Sequence, residues 1–271
     1  MNFDRTEYIQ QPIPILLELK ALFNPKDKII IFEIGACEGE DSIKYSRLFN
    51  NASIYAFEPL PENIKLIKNN LSKYGIKNVA CYNKALSSKE GTAEFYVSTG
   101  IPPSSIESDW DFGNKSSSLL APAKHLEIAS FIKFNKKIEV ETITIKSFCE
   151  RNNINLIDFI HMDVQGAELM VLEGAGDYIS SIKAIWLEVS KIDLYKEQPL
   201  VNDIKDFMQL NNFALIKDDL KEVQGDQLYI SKKYYKKTRV GLVIKAMCVK
   251  SKLARIVKKL KFFKYQDYVF Y

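Results

Sequence analysis

Residues 31–39 read Ile31-Phe32-Glu33-Ile34-Gly35-Ala36-Cys37-Glu38-Gly39, an apolar strand running into an acid-x-Gly-x-x-x-Gly turn; a second apolar strand follows and ends in Glu58. A parallel strand that stops beneath a bulky ligand needs a sharp turn and a helix opening beside it, so glycines sit where a Cβ would collide. Gly35 and Gly39 meet that need. The dinucleotide fingerprint G-x-G-x-x-G is excluded, because Glu33 stands two positions before Gly35 and no third glycine follows at the right offset. Glu33 and Glu38 would repel a pyrophosphate. They suit a ligand with a cationic end, and the ammonium and sulfonium of S-adenosylmethionine fit that description, so the loop is read as a methyl-donor site.

Working outward, strands at 29–34, 53–57 and 79–82 alternate with helices at 41–49 and 61–74, the second opening on Pro61-Glu62 as helix starts do. Three successive β-α units imply a parallel sheet with right-handed crossovers. A leading helix is expected over 7–23, with Leu16, Leu17, Leu19 and Leu22 on its apolar side. After Gly91 a strand is read at 92–97, and then 98–137, rich in Ser, Pro, Asn and Gly, reads as an irregular insertion: a lid or a disordered segment. As a lid it would lie over the carboxyl ends of the strands, where ligands bind in such sheets. Strands at 138–143, 156–162 and 182–189, helices at 145–152, 167–172 and 200–210, and closing strands at 213–217 and 227–231 complete a doubly wound, mostly parallel α/β fold. The domain reading is a helical segment at 1–28, a main domain at 29–232 and a basic tail at 233–271.

With 271 residues and 46% hydrophobic side chains the chain can bury a large core. No stretch reaches the roughly 20 apolar residues of a membrane span, and the polar start lacks a signal peptide's charged-then-apolar order. Cys37, Cys81, Cys149 and Cys248 show no C-x-x-C spacing, which argues against a zinc site or a disulfide framework and fits a reducing cytoplasm. Net charge is +4, unevenly spread: 13 of the 38 Lys and Arg but one of the 34 acids fall in 232–271, leaving 25 basic and 33 acidic residues before it. Val240, Val243, Ile244, Met247, Ala254, Val257 and Leu260 interleave with those lysines, close to a basic amphipathic helix. Peripheral contact with anionic lipid at the inner face of a membrane and docking onto the core or a partner enzyme stay open for 232–264, as does a homo-oligomer. Nucleic acid is not expected, because the Asn-Pro-Pro-Tyr-like run of base-methylating enzymes is absent after the fourth strand.

The run from Val140 to Glu168, with Asp163-Val164-Gln165-Gly166-Ala167-Glu168 as its most specific part, and Val171-Leu172-Glu173-Gly174-Ala175 after it, resembles the FkbM-type methyltransferases. The Glu33-x-Gly35 loop, Ala56-Phe57-Glu58-Pro59 and Asn83-Lys84-Ala85-Leu86 stand in that family's order, so the resemblance covers about 29–232. That family more often has Glu where Gln165 stands, which bears on any ionised role there. The resemblance implies a Rossmann-like, class I methyltransferase fold, to which the sequence adds a lid insertion and a basic helical tail. It also implies O-methylation by S-adenosylmethionine of a hydroxyl on a sugar, surface glycan or glycosylated metabolite. The rivals are a non-catalytic methyltransferase-like scaffold and an NAD-dependent oxidoreductase.

Expected donor contacts are Glu33, Gly35, Ala36, Glu38, Gly39, Ser42, Glu58, Pro59, Asn83, Ala85, Asp163 and Gln165. Glu58 would accept the two ribose hydroxyls, since one carboxylate suits that pair. Asn83 would reach the base edge or serve as a turn residue, and Glu33 would touch the donor or organise backbone. Asp163, ending the fourth main strand, would face donor and acceptor and is the first choice of base, with a helix N-cap role as the alternative. Glu168 would face substrate or favour the helix N-terminus. Glu188, ending the next strand, could join Asp163 in holding a hard divalent cation such as Mg, although no diagnostic spacing indicates one. His125 is a candidate base closing from the insertion, and His161 a candidate base or a core histidine.

Overall fold

The computed structural model describes residues 4–101 and 113–235. Its main layer is a seven-stranded sheet in the order β3-β2-β1-β7-β8-β10-β9. These strands are β1 (Ile30–Ile34), β2 (Ser53–Phe57), β3 (Val79–Tyr82), β7 (Ile157–Met162), β8 (Ile182–Ser190), β9 (Phe213–Asp218) and β10 (Gln224–Ser231). All neighbours run parallel except β10, which is antiparallel to both β8 and β9. The strand order reverses between β1 and β7, the point where ligands bind in open α/β sheets.

Apolar residues cover both faces because strands buried on two sides have no solvent face to leave polar. Phe32, Ile34, Phe57, Ile160, Met162, Ile185 and Leu187 pack under α6 (Ile145–Arg151), α7 (Glu168–Glu173) and α8 (Val201–Leu210). Ile31, Ile54, Phe159, Ala184 and Trp186 face α2 (Leu16–Leu22) and α3 (Glu40–Leu48). Ala36, Ala56 and Ile43 meet Ile64, Ile67 and Leu71 of α4 (Pro61–Lys73).

The expected single leading helix is two, α1 (Arg5–Gln10) and α2, because Pro12 and Pro14 cannot supply the backbone donors a continuous helix requires. The expected irregular run from 98 to 137 is shorter. A second sheet, β4-β6-β5, holds β4 (Ala85–Leu86), β5 (Gly91–Thr99) and β6 (Lys133–Ile143), with Thr99 paired to Lys133. Here pairing overrides the poor strand propensity of Lys and Asn. Between β5 and β6 the described chain forms a 3-10 turn at Gly113–Ser116 and a short α5 (His125–Ile128). The α9 turn (Lys232–Tyr235) ends the described residues, so the amphipathic reading of the basic tail lies outside them. Among the described residues no helix is long and apolar enough to cross a membrane.

Candidate active site

Three strand ends are sewn together at the reversal point. The N–H groups of Gly35 and Ala36 both donate to the Phe57 carbonyl at 3.0 Å, and Asp163 N donates to the Ile34 carbonyl at 3.0 Å. Gly35 has φ of 84°, and a Cβ there would overlap the Asp163 carbonyl oxygen, so the crossing of β1 and β7 leaves room only for glycine. Glu58 is buried at the end of β2 and takes Cys37 N on Oε2 and Leu60 N on Oε1, each at 2.9 Å. Each oxygen keeps a further lone pair for a hydroxyl donor. Burial lifts the Glu58 carboxyl to about 7, against the pull of those two backbone donors.

Two pockets meet at this junction. One, of about 520 Å³, has apolar walls from Phe57, Leu86, Phe95 and Leu119, and is also lined by Glu58, Pro59, Ala85, Gly35, Asp163 and Gln165. The other, of about 670 Å³, is lined by Tyr8, Glu33, Ala36, Glu40, Asp41 and His161, and shares Gly35, Cys37, Lys115 and Asp163 with the first. An apolar slot with the Glu58 carboxylate in its wall suits an adenosine. An acid-lined chamber joined to it suits a cationic amino-acid end.

Residues 113–118 cross over both loops. Asn114 Nδ2 donates to Asn63 Oδ1 at 3.0 Å, Lys115 Nζ lies 3.1 Å from Glu40 Oε1, and the Ser118 hydroxyl donates to the Gln165 carbonyl at 2.8 Å. Tyr195, 1% exposed, holds its hydroxyl 2.8 Å from the Ser116 carbonyl and 2.9 Å from Gln165 Oε1. The insertion thus touches the turns after β1 and β7 at once.

On the β7–β8 side, Gln165 Nε2 donates to Asp163 Oδ1 at 2.7 Å and to Glu188 Oε2 at 3.2 Å, while Gln224 Nε2 donates to Glu188 Oε1 at 2.8 Å. The Asp163 side chain opens onto the pocket, yet the protein ringing it raises its carboxyl above the ordinary range, with the Gln165 amide pulling the other way. Glu188 is raised well above that range by burial and by the charge of Asp163, and Asp226, its partner across β10, is pushed to about 6 by burial and Asp163.

Residues 33–215 match the methyltransferase FkbM domain. The chain belongs to the FkbM methyltransferase family. It is 28% identical over 211 residues, 78% of this chain and 82% of the relative, to 2-O-methyltransferase NoeI of Sinorhizobium fredii (strain NBRC 101917 / NGR234). It is 23% identical over 154 residues, 56% of this chain and 60% of the relative, to Methyltransferase 1 of Beauveria bassiana (strain ARSEF 2860). Among solved structures, the N-terminal domain of EvdMO1 in the presence of SAH and D-fucose is 10% identical, with a TM-score of 0.44 over 84% of this chain and 82% of that one.

In this FkbM-family methyltransferase the sequence-predicted residues divide by position. Gly35, Glu58, Pro59, Ala85, Asp163 and Gln165 line the apolar pocket, and Glu33, Ala36 and His161 line the acidic one. Four expected donor contacts line neither. Glu38 is fully buried in an ion pair with Arg5, and Ser42, also fully buried, donates its hydroxyl to Glu33. Gly39, in the left-handed region, opens α3 where a Cβ would lie 3.0 Å from Ile67. The Asn83 amide donates to the Glu58 and Pro59 carbonyls at 3.0 and 2.9 Å, which makes it a clamp on the β2 turn.

His125 lies away from both pockets. It is buried beside Tyr195 and Phe134, with ring centroids 5.4 and 5.5 Å off, and burial lowers its pKa. Glu168, buried, accepts from the N–H groups of Val164 and Gly166 at 3.2 Å each, so it shapes the turn before α7; burial pushes its carboxyl to about 7. The donor set of Asp163 and Glu188 does not fit a divalent cation, because the Gln165 amide directs N–H groups at both carboxylates where the metal would sit. Among the described residues, the carboxylate and imidazole atoms that gather within 4.8 Å belong to Glu33, Asp41 and His161 instead. Sequence reasoning missed Lys115 and Tyr195, whose loops are remote in the chain from the strands they serve.

Proposed function

We propose that the protein transfers a methyl group from S-adenosylmethionine to a hydroxyl of a sugar-type acceptor. The observation that carries the reading is that the two pockets share Gly35 and Asp163, with the Glu58 carboxylate in the wall of the apolar one. The likeness to a protein named as a 2-O-methyltransferase supports an oxygen acceptor. When bound, the donor supplies an electrophilic methyl on sulfur.

The chain's own residues supply the rest. Glu58 and the Gly35 turn fix the adenosine end, while Glu33, Glu40 and Asp41 line the acidic chamber. Asp163 stands where the pockets meet and takes the proton of the attacking hydroxyl. Residues 114–119 exclude water from above. Bringing two reactants together in this way is worth roughly 7–11 kcal/mol of the barrier, whereas proton removal by a positioned base adds roughly 10²–10⁴-fold. Positioning is therefore the larger contribution.

Product mass spectrometry with a panel of nucleotide sugars and surface glycans, alongside calorimetric titration with S-adenosylhomocysteine and with NAD, tests the reading. Glu58→Ala is expected to raise the KM for the donor, and Asp163→Asn to lower kcat mainly. Heat from NAD alone would favour an oxidoreductase, and heat from neither would favour a scaffold; either result overturns the proposal.

A further inference from the structure

We propose that Gln165, anchored by Tyr195, is a positioning residue that bridges the Asp163 and Glu188 carboxyl groups and tips the pair toward its ionised forms. The proposal rests on the O-methyltransferase reading for its kinetic consequences and on geometry alone for its electrostatic ones.

Two carboxylates that share one site do not both ionise readily, and a hydrogen-bond donor placed between them eases their ionisation. The Gln165 amide provides that element. Its two N–H bonds reach Asp163 Oδ1 at 2.7 Å and Glu188 Oε2 at 3.2 Å, a bridge that a third carboxylate at position 165 could not make. The bridge has fixed footings. Gln165 Oε1 lies 2.9 Å from the Tyr195 hydroxyl, the Gln165 carbonyl accepts from Ser118, and the far oxygen of Glu188 accepts from Gln224. Gln165 itself has φ of 54°, a strained setting for a non-glycine residue that persists only where its surroundings hold it. Strain at one residue with this many partners marks a side chain held for its placement.

The charged and titratable groups around the pair are His161 on β7, Glu168 on α7, Asp226 on β10, Lys115 from the insertion and Tyr195. All remain when Gln165 alone is changed. Their field is therefore common to parent and variant, and the difference isolates the amide.

The test is a carboxyl ¹³C titration of the full chain labelled at Asp and Glu, read for the parent, Gln165→Met and Tyr195→Phe. Gln165→Met keeps the side-chain length without the donor. The expected result is a midpoint for the Asp163–Glu188 pair at higher pH in Gln165→Met, a smaller shift in the same direction in Tyr195→Phe, and a matching move of the acid limb of kcat. The loss in kcat at neutral pH is expected to be roughly tenfold for Gln165→Met, since hydrogen bonds to charged groups are among the stronger ones. A purely structural role would lower the thermal midpoint without moving the titration. If Gln165→Met does not fold, Tyr195→Phe decides by the same criterion. Carboxyl titrations that coincide with the parent's in a folded variant overturn the proposal. Should the parent methylate no acceptor, the functional reading fails, and the carboxyl titration still decides this one.

Discussion

Gly35 and Gly39 were one motif in the sequence and are two different devices in the molecule. A Cβ on Gly35 would drive into the backbone carbonyl of Asp163, which belongs to the seam of the sheet and has no rotamer to adopt. A Cβ on Gly39 would meet only a methyl of Ile67 at 3.0 Å, which can move by a few tenths of an ångström. Both residues lie in the left-handed region, so each alanine also carries a backbone penalty. Gly35→Ala is expected to destabilise by about 4 kcal/mol or to prevent folding, and Gly39→Ala by about 1–2 kcal/mol, as read by urea denaturation. Equal losses would refute the distinction. Glu33, Gly35, Glu58 and Asp163 were legible because each stands at or beside the end of an apolar strand run, a position that periodicity locates. Lys115 and Tyr195 were not. They follow no strand, and only the three-dimensional path of two loops brings them to Gln165 and Glu40.

Strands whose residues are apolar on both faces were read almost to the residue, as β2 and β3 show. Elements stabilised by partners rather than by pattern were missed or shortened: β4 is two residues long, and the Lys- and Asn-rich start of β6 is a strand only because β5 lies beside it. Helix α1 is another case of stability through partners. Its Arg5, 8% exposed, pairs with the fully buried Glu38 of the turn after β1, and its Tyr8 hydroxyl donates to Asp41 at 2.9 Å. Removing one partner of a buried pair leaves an uncompensated charge, so Arg5→Ala is expected to cost about 3 kcal/mol and to weaken S-adenosylhomocysteine binding. The exposed pair of Lys146 and Asp177, at 3.1 Å, supplies the control. Lys146→Ala should leave the unfolding midpoint unchanged. A loss from Lys146→Ala as large as that from Arg5→Ala would show that burial does not set the scale.

At the scale of the whole molecule, the dominant electrostatic fact is a set of buried acids held above their ordinary range. Glu58 and Glu168 are pushed to about 7 by burial, and Glu33 and Glu188 are raised well above the usual carboxylate range by the same cause. Raised acids keep their protons in the folded state while the unfolded chain releases them near 4.5, so the folded state binds more protons between 4.5 and 7. Stability is then greatest at the acid end of that window and falls as pH rises through 7. His125, lowered by burial, works in the opposite direction, but it is one group against several. The thermal midpoint of the free protein is expected to drop between pH 5 and pH 8; a midpoint that climbs throughout would contradict the assignment. Donor affinity should change in the other sense. Ionised Glu58 accepts hydroxyl donors better than its protonated form, so S-adenosylhomocysteine should bind more tightly as pH rises through 7, and calorimetry at pH 6 and pH 8 reads this directly.

The contact of Gly35 with the Asp163 carbonyl also sets an order of events during synthesis. The glycine turn leaves the ribosome early, but the wall against which it rests is made only when β7 has been translated, with the whole β5–β6 hairpin in between. Until then the crevice after β1 has no floor, and a half-made chain presents the glycine turn without the wall that completes it.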